Sequence, residues 1–182
     1  MKRDNLVLTG FMGSGKTTLG LKLSYKLRRT MEDTDRLIER REGCAVSGIF
    51  AEKGEEYFRR LETAVLGELL ERKQKMIIAL GGGTPVRQEN RELIRQLGQV
   101  VFLRVRPETV CRRLKGDTGR PLLMCGNPQE RVRELLEARR EAYESLADLI
   151  LDVDDKSADE IAETLAEWAA FRENVPPEAG RA

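Results

Sequence analysis

Gly10-Phe11-Met12-Gly13-Ser14-Gly15-Lys16-Thr17 is the stretch on which the prediction of fold and function rests. It matches the pattern G-x-x-x-x-G-K-[ST], in which a glycine-rich loop turns its backbone N–H groups inward around phosphate oxygens. An apolar run at 5–9 precedes the loop, and leucines at helical spacing follow it. A strand, a glycine loop and a helix N-terminus in this order predict a site for nucleotide phosphates.

The residues of the loop have separate expected roles. Lys16 can reach the β- and γ-phosphates, and the Thr17 hydroxyl can bind Mg²⁺. The residues expected to bind the nucleotide are Gly13, Ser14, Gly15, Lys16, Thr17 and Thr18. A glycine-rich turn without a ligand is one alternative. A dinucleotide-binding loop is another, but the third glycine of that pattern would fall on Thr18.

The composition is that of an ordinary globular protein. The chain has 182 residues, of which 40% are hydrophobic and 35% charged, and its net charge is +1. We therefore expect a single domain at 1–172, a disordered tail at 173–182, no nucleic-acid surface and no membrane span. Three cysteines without a C-x-x-C pair indicate reduced thiols and a cytoplasmic protein. Because the chain has no histidine, a catalytic base near neutral pH should be a carboxylate, and His-based zinc sites are excluded.

Strands alternate with helices along the chain. Apolar runs at 76–80, 100–103 and 149–151 are typical of buried parallel strands, and amphipathic helical patterns lie between them. This alternation predicts an α/β fold in which helices cover both faces of a parallel sheet. Ligands bind beyond the carboxyl ends of such strands. The phosphate loop, Asp33-Thr34-Asp35 and Gly81-Gly82-Gly83 should therefore converge on one crevice.

Asp33 and Asp35 come just past a strand end. One carboxylate could serve the Mg²⁺ shell while the other faces the acceptor of the phosphoryl group. Asp33 is the better candidate for the metal, because the strand at 76–80 ends in glycine and not in aspartate. The alternative is that both acids are solvated and cap the start of a helix.

Glycines and arginines complete the candidate site. Gly81-Gly82-Gly83 allows close backbone approach and free N–H groups, or forms a plain tight turn. Arg59 and Glu62 can pair because they lie three apart on one helix, an arrangement that is usually found on a surface. Arg120 lies in a polar loop long enough to be a lid, from which it could neutralise charge on the transferring group. Arg139 could equally be an ordinary helix-surface residue.

Taken together, these segments resemble the shikimate kinase family from the phosphate loop to the last helix. The segments that carry the resemblance are the phosphate loop at 10–17, Asp-Thr-Asp at 33–35, Phe-Arg-x-x-Glu at 58–62, Leu-Gly-Gly-Gly at 80–83, Arg-Pro-Leu-Leu at 120–123 and Arg-x-x-x-Tyr at 139–143. The resemblance implies a three-layer P-loop fold, with helices on both faces of a five-stranded parallel sheet in the order 2-3-1-4-5. It also implies a lid near 112–127 and a substrate-binding helical segment near 34–62.

The activity implied by the resemblance is Mg²⁺-dependent transfer of the ATP γ-phosphoryl group to the 3-hydroxyl group of shikimate. On the nucleotide side, Thr17 would bind Mg²⁺ directly and Asp33 would act through water. Arg120 would close over the phosphates from the lid, and Arg113 would stack on adenine. Family members often cover the other adenine face with residues after the last strand, sometimes with a proline, and this chain has no proline at 154–157. The expected catalytic residues are Lys16, Asp35 and Arg120.

On the acceptor side, the resemblance implies that Asp35 accepts the proton of the 3-hydroxyl group. Arg59 and Arg139 would bind the shikimate carboxylate, and the backbone of the glycine turn would hold the substrate. The expected substrate-binding residues are Asp35, Arg59, Gly81, Gly82, Gly83 and Arg139. The implied partners are ATP and shikimate, and we expect a monomer in the cytoplasm.

The sequence leaves two other functions open. A related hydroxy-acid kinase, such as one for gluconate, could also use two arginines for a carboxylate, although Asp-Thr-Asp and Phe-Arg-x-x-Glu favour shikimate. The rival from another class is a nucleotide-dependent switch or a non-catalytic nucleotide-binding module. A GTPase should carry N-K-x-D, but the asparagines at 5, 90, 127 and 174 are followed by Leu, Arg, Pro and Val.

Overall fold

One parallel sheet carries the phosphate loop and most of the candidate acceptor residues at its edge. In the computed structural model, which describes residues 4–115 and 127–174, the strands are β1 (Asn5–Thr9), β2 (Thr30–Asp33), β3 (Met76–Ala79), β4 (Gly98–Arg104) and β5 (Leu149–Asp152). Their order is β2-β3-β1-β4-β5, and every neighbouring pair is parallel. The predicted α/β class and the predicted strand order are confirmed.

Helices connect the strands and cover both faces of the sheet. In the described part of the chain they are α1 (Lys16–Leu27), α2 (Thr34–Glu42), α3 (Val46–Glu71), α4 (Gln88–Leu97), α5 (Pro107–Arg113), α6 (Pro128–Glu144) and α7 (Ala158–Asn174). A short 3₁₀ turn at Thr84–Val86 lies between β3 and α4.

Alternate residues of the central strand enter two separate hydrophobic cores. Leu6 and Leu8 of β1 pack with residues of α1 and α7, whereas Val7 packs with residues of α3 and α4. Successive side chains of a strand point to opposite faces of the sheet. Because helices cover both faces, β1 and β3 are buried along their whole length, as the continuous apolar runs predicted.

Helix α3 consists of two helices that meet at Gly54. The backbone there has φ 79° and ψ 169°, which is not helical, and a positive φ favours glycine. The break separates a short first segment from a long amphipathic segment that buries Phe58 and Leu66 against the sheet. The long segment also carries Arg59 and Glu62, so the packing of its apolar stripe fixes where these charged side chains lie.

Two predicted segments fall partly outside the described residues. Helix α5 ends at Arg113 and Asn127 caps α6, so residues 116–126 of the predicted lid are not described. Helix α7 continues to Asn174, past the predicted domain end at 172, and the remainder of the predicted tail, 175–182, is not described. Within the described residues, no helix is both long and apolar enough to cross a membrane.

Candidate active site

The phosphate loop obtains its shape from glycines in backbone conformations that other residues rarely adopt. Gly10, Gly13 and Gly15 have φ values of 145°, 75° and 96°, and Gly15 is the N-cap of α1. A Cβ atom on Gly10 would lie only 2.7 Å from the Leu103 carbonyl oxygen. The loop therefore lies tightly against β4 and leads into a helix N-terminus, an arrangement suited to phosphate oxygens.

The side chains of Lys16 and Ser14 in the loop are suited to bind an anion. The Lys16 ammonium group donates to the carbonyl oxygens of Gly10 and Phe11 at 2.8 and 2.9 Å. The Ser14 hydroxyl is buried, and among the described residues it has no hydrogen-bond partner. Buried polar groups are normally paired, so an unpaired hydroxyl inside a glycine loop is consistent with a phosphate ligand.

Asp33 joins the end of β2 to the phosphate loop. Its Oδ2 atom accepts a hydrogen bond from the Thr17 hydroxyl at 2.7 Å. Its Oδ1 atom accepts from the backbone N–H groups of Asp35 and Arg36 and so caps α2. Asp33 therefore caps a helix, as the alternative expected, and its other carboxylate oxygen lies next to the loop threonine. A role in the Mg²⁺ shell stays a prediction.

Asp35 is partly exposed, but its Oδ1 atom is buried and the pKa of its carboxyl group is raised. Its Oδ1 atom has no hydrogen-bond partner among the described residues. Burial, and after it the negative charges of Asp33 and Glu62, raises its pKa from 3.8 to about 6, while Lys16 opposes this shift. A carboxylate with a pKa near the working pH is suited to accept a proton in catalysis.

The turn after β3 contains glycines because a side chain at Gly81 or Gly83 would meet neighbouring atoms, and not because the backbone is left-handed. None of Gly81, Gly82 and Gly83 is among the glycines in the left-handed backbone region. A Cβ atom on Gly81 would lie 2.4 Å from Asp35 Oδ1, and one on Gly83 would lie 2.3 Å from Arg59 Nη1. The expectation of free N–H groups is wrong at Gly81, because its N–H donates to the Thr34 hydroxyl at 2.8 Å.

The glycine turn also touches the phosphate loop. A Cβ atom on Gly82 would lie 3.4 Å from the backbone nitrogen of Met12 and 3.5 Å from the Gly10 carbonyl oxygen. The sequence placed both segments at carboxyl ends of neighbouring strands, and the pairing of β1 with β3 confirms this placement. The predicted convergence on one crevice is therefore observed for these two segments.

Arg59 is held at the glycine turn by two acids of its own helix. Its Nη1 atom donates to Glu62 Oε2 at 2.7 Å, and its Nη2 atom donates to Glu55 Oε1 at 2.9 Å. The Arg59 side chain is 15% exposed and that of Glu62 is 1% exposed, so the interpretation as a surface pair is wrong. Burial lowers the pKa of Arg59, but Glu62 and Glu55 raise it above its ordinary value, so the guanidinium group stays charged.

Arg139 and Tyr143 bring α6 to the same turn. The Tyr143 hydroxyl donates to the Gly82 carbonyl oxygen at 2.5 Å, and Arg139 Nη1 lies 3.5 Å from that oxygen. The guanidinium carbon of Arg139 lies 5.6 Å from the centre of the Phe11 ring, a cation–π contact. Arg59 and Arg139, which are far apart in sequence, therefore both reach the turn at 81–83.

Arg113 links the phosphate loop to the segment after β5. Its guanidinium group donates to the Gly13 carbonyl oxygen at 3.1 Å and to the Val153 carbonyl oxygen at 2.9 Å. This position is next to the loop, and stacking on adenine stays a prediction. Arg120, the predicted lid residue, lies outside the described residues.

Three residues of the site were not assigned a role from the sequence. Thr84 donates to Glu62, Asn90 supports Thr84, and the Tyr143 hydroxyl holds Gly82. Tyr143 could have been found, since it lies one helical turn after Arg139. Nothing in the local sequence pattern distinguishes Thr84 or Asn90 from ordinary turn and helix residues.

Comparisons with known proteins agree with this geometry. The family model described as shikimate kinase matches residues 12–170. The shikimate kinase of Caldanaerobacter subterraneus subsp. tengcongensis is 43% identical over 159 residues, which are 87% of this chain and 92% of that protein. The shikimate kinase of Thermoanaerobacter pseudethanolicus is 42% identical over the same share of each chain. A solved shikimate kinase from Acinetobacter baumannii in complex with shikimate has a TM-score of 0.88 at 36% identity, covering 94% of this chain and 95% of its own.

Proposed function

This chain belongs to the shikimate kinase family, and we propose that it transfers the γ-phosphoryl group of ATP to the 3-hydroxyl group of shikimate, giving shikimate 3-phosphate and ADP. The observation that carries the proposal is the meeting of Asp35, Arg59 and Arg139 at the glycine turn beside the phosphate loop. An acceptor that carries both a hydroxyl and a carboxylate needs a base and cations in such an arrangement.

On the nucleotide side, the loop backbone and the side chains at 13–18 bind the ATP phosphates. Lys16 exchanges its contacts with the loop carbonyl oxygens for contacts with the β- and γ-phosphates, because a charged acceptor forms the stronger hydrogen bond. Its positive charge then offsets the negative charge of the transition state. Arg113 lies beside the adenine, and Arg120 closes over the phosphates from the lid.

Thr17 and Asp33 fit a Mg²⁺ ion bound together with ATP. The Thr17 hydroxyl and Asp33 Oδ2 lie 2.7 Å apart, and both are hard oxygen ligands of the kind that Mg²⁺ prefers. Thr17 would bind the ion directly, and Asp33 would bind it through water. When bound, Mg²⁺ neutralises charge on the β- and γ-phosphates.

Asp35 is the base for the acceptor hydroxyl. With a pKa of about 6 it is ionised at neutral pH, and it is more basic than an ordinary aspartate. Its Oδ1 atom, which lacks a partner in the described part of the chain, accepts the hydroxyl hydrogen. The proton passes to Asp35 as the new O–P bond forms and the bond to ADP breaks.

Arg59 and Arg139 bind the acceptor carboxylate. A guanidinium group presents its N–H donors in a planar fork that matches the two oxygens of a carboxylate. Both groups stay near the glycine turn through the contacts described above. The backbone at 81–83 forms the wall between them, and the substrate ring lies against it.

The remaining proposals concern the whole chain. Residues 1–172 form a single kinase domain, with a lid at 112–127 and a substrate-binding helical segment at 34–62. The protein acts as a monomer in the cytoplasm, and its partners are ATP, Mg²⁺ and shikimate.

A coupled assay of ADP release tests the proposed function. Purified protein with ATP and Mg²⁺ is offered shikimate, gluconate or a nucleoside in turn. We expect release to depend on shikimate, and to stop when EDTA removes the metal. Equal release with gluconate, or release that no acceptor stimulates, would contradict the proposal.

A further inference from the structure

A buried carboxylate lies beneath the acceptor site, and both of its oxygens are held. Glu62 is 1% exposed. Its Oε2 atom accepts from Arg59 Nη1 at 2.7 Å, and its Oε1 atom accepts from the Thr84 hydroxyl at 2.5 Å. A carboxylate can be kept charged in the interior only if donors satisfy it. Thr84 is therefore the second donor that fixes the plane of this carboxylate, and through it the position of the Arg59 fork.

Thr84 is itself held by a second buried polar side chain. Asn90 Nδ2 donates to the Thr84 carbonyl oxygen at 2.9 Å, and Asn90 Oδ1 accepts from the Thr63 hydroxyl at 2.7 Å. Thr84 and Asn90 are fully buried. Since Thr63 follows Glu62 in α3, this helix is joined to the turn directly through Thr84 and, at the adjacent position, indirectly through Asn90 of α4. The two connections resist sliding of the turn along the helix.

The Thr84 hydroxyl faces the acceptor site. A Cβ atom on Gly81 would lie 3.0 Å from Thr84 Oγ1, 3.1 Å from Glu62 Oε1 and 2.4 Å from Asp35 Oδ1. Three oxygen atoms from three elements thus surround the position that a Cβ atom of Gly81 would occupy.

We propose that Thr84, supported by Asn90, is a positioning residue for the acceptor carboxylate: its hydroxyl orients Glu62 so that Arg59 is aligned before the acceptor binds. The proposal rests on the proposed function, since it concerns the same acceptor. Thr84 acts through Glu62 and Arg59 and does not touch the reacting atoms. Its contribution therefore belongs to acceptor affinity and not to the chemical step.

The variant Thr84→Val tests the proposal, because valine keeps the shape of threonine and removes the hydroxyl. Glu62 then loses one of its two donors and rotates, and Arg59 is no longer aligned. We expect the KM for shikimate to rise about 5- to 150-fold, the range for leaving one buried acceptor unsatisfied. The values of kcat and of the KM for ATP should change less than twofold. Thr84→Ser restores the hydroxyl and should restore the KM for shikimate.

A matched control uses the same substitution at another buried threonine. Thr109 lies in α5 and is 3% exposed, and Thr109→Val should leave the KM for shikimate unchanged. If Thr84→Val does not fold, Thr84→Ala removes the same hydroxyl without placing a second methyl group beside the carboxylate, and the same result is expected.

The possible results distinguish failure of the positioning role of Thr84 from failure of the proposed function. A wild-type protein that turns over shikimate, together with a rise in KM below fivefold for folded Thr84→Val or Thr84→Ala, overturns the positioning role alone. An equal rise for Thr84→Ser overturns it as well, because the hydroxyl would then not be the cause. A wild-type protein without turnover on shikimate overturns the proposed function and this inference together.

Discussion

The two sides of the site are built in different ways. The phosphate loop is one run of residues at 10–17, and its shape comes from backbone angles at three glycines. The acceptor side is assembled from side chains of α2, α3, α6 and the turn after β3, at positions from 35 to 143. The loop is specified by neighbouring residues of one segment, whereas the acceptor side depends on the packing of distant segments against each other.

This difference has consequences for how substitutions act. Changes to charged groups at the phosphates or at the transferred proton should lower kcat, because those groups act on the transition state. Changes to the arginines and to the residues that hold them should raise the KM for the acceptor. Substitutions on one side should therefore impair that side while the other continues to work.

The largest effect is expected at Asp35, where the two sides meet. Asp35→Asn preserves the shape of the side chain but removes the basic oxygen. We expect kcat to fall about 10²- to 10⁴-fold, the usual range for a general base, with the KM for shikimate nearly unchanged. Steady-state kinetics with both substrates varied measures this. Retention of more than about a tenth of the wild-type kcat would show that Asp35 is not the base.

The same variant should be more stable than the wild type at neutral pH. The folded protein holds the pKa of Asp35 near 6 instead of 3.8, so the stabilising contribution of this group is complete below 3.8 and is lost as pH rises through 6. The loss amounts to at most about 3 kcal/mol, from the conversion of pKa shift to free energy. Urea unfolding should show Asp35→Asn gaining stability over wild type at pH 7 and little at pH 4. The opposite order would contradict the assigned burial cost.

Lys16→Met should impair phosphoryl transfer without affecting the acceptor side. The variant removes the charge that the loop directs at the phosphates, and we expect kcat to fall about 10²- to 10³-fold, as for the loss of one transition-state donor. Shikimate binding, measured by calorimetry without nucleotide, should be unaffected. Loss of shikimate binding would show that the two sides are not separable.

The features that could be predicted from the sequence differ between the phosphate loop and the acceptor side. The loop, the position of Asp33 and the alternation of strands and helices could be predicted, because each is specified by a short motif or by apolar runs. The strand order was implied by the resemblance to the family. The burial of Glu62 could not be predicted. Two residues three apart on a helix have the same spacing on a surface and in the interior, and only the packing of α3 against the turn after β3 decides between them.

The glycine turn also contains a contact that could not be predicted from the sequence. Three consecutive glycines indicated close backbone approach, and this is correct at Gly81 and Gly83. The N–H of Gly81 is nevertheless taken by Thr34, which lies 47 residues earlier in the chain. A hydrogen bond over that separation is a property of the folded sheet edge and has no local signal.

Gly83→Ala should produce a smaller and more selective effect. The added methyl group would lie 2.3 Å from Arg59 Nη1, so the flexible guanidinium group must move away from the turn. We expect the KM for shikimate to rise about tenfold, the lower end of the range for one charged hydrogen bond, with the fold intact. Gly67→Ala on α3 is the control, since a Cβ atom there meets nothing within 4 Å. An unchanged KM in Gly83→Ala would mean that Arg59 does not bind the acceptor.

The most direct test of the central claim, that Arg59 and Arg139 bind the acceptor carboxylate, compares shikimate with its carboxamide in three proteins: wild type, Arg59→Lys and Arg139→Lys. Lysine keeps the charge but not the planar fork. Each variant should raise the KM for shikimate about 10- to 150-fold, from one charged hydrogen bond lost, and should change the KM for ATP much less. The carboxamide should be a poor substrate for the wild type and should be penalised far less by either substitution, because its carboxylate contact is already absent. Equal losses on the acid and on the amide in both variants would make the arginines structural and contradict the account.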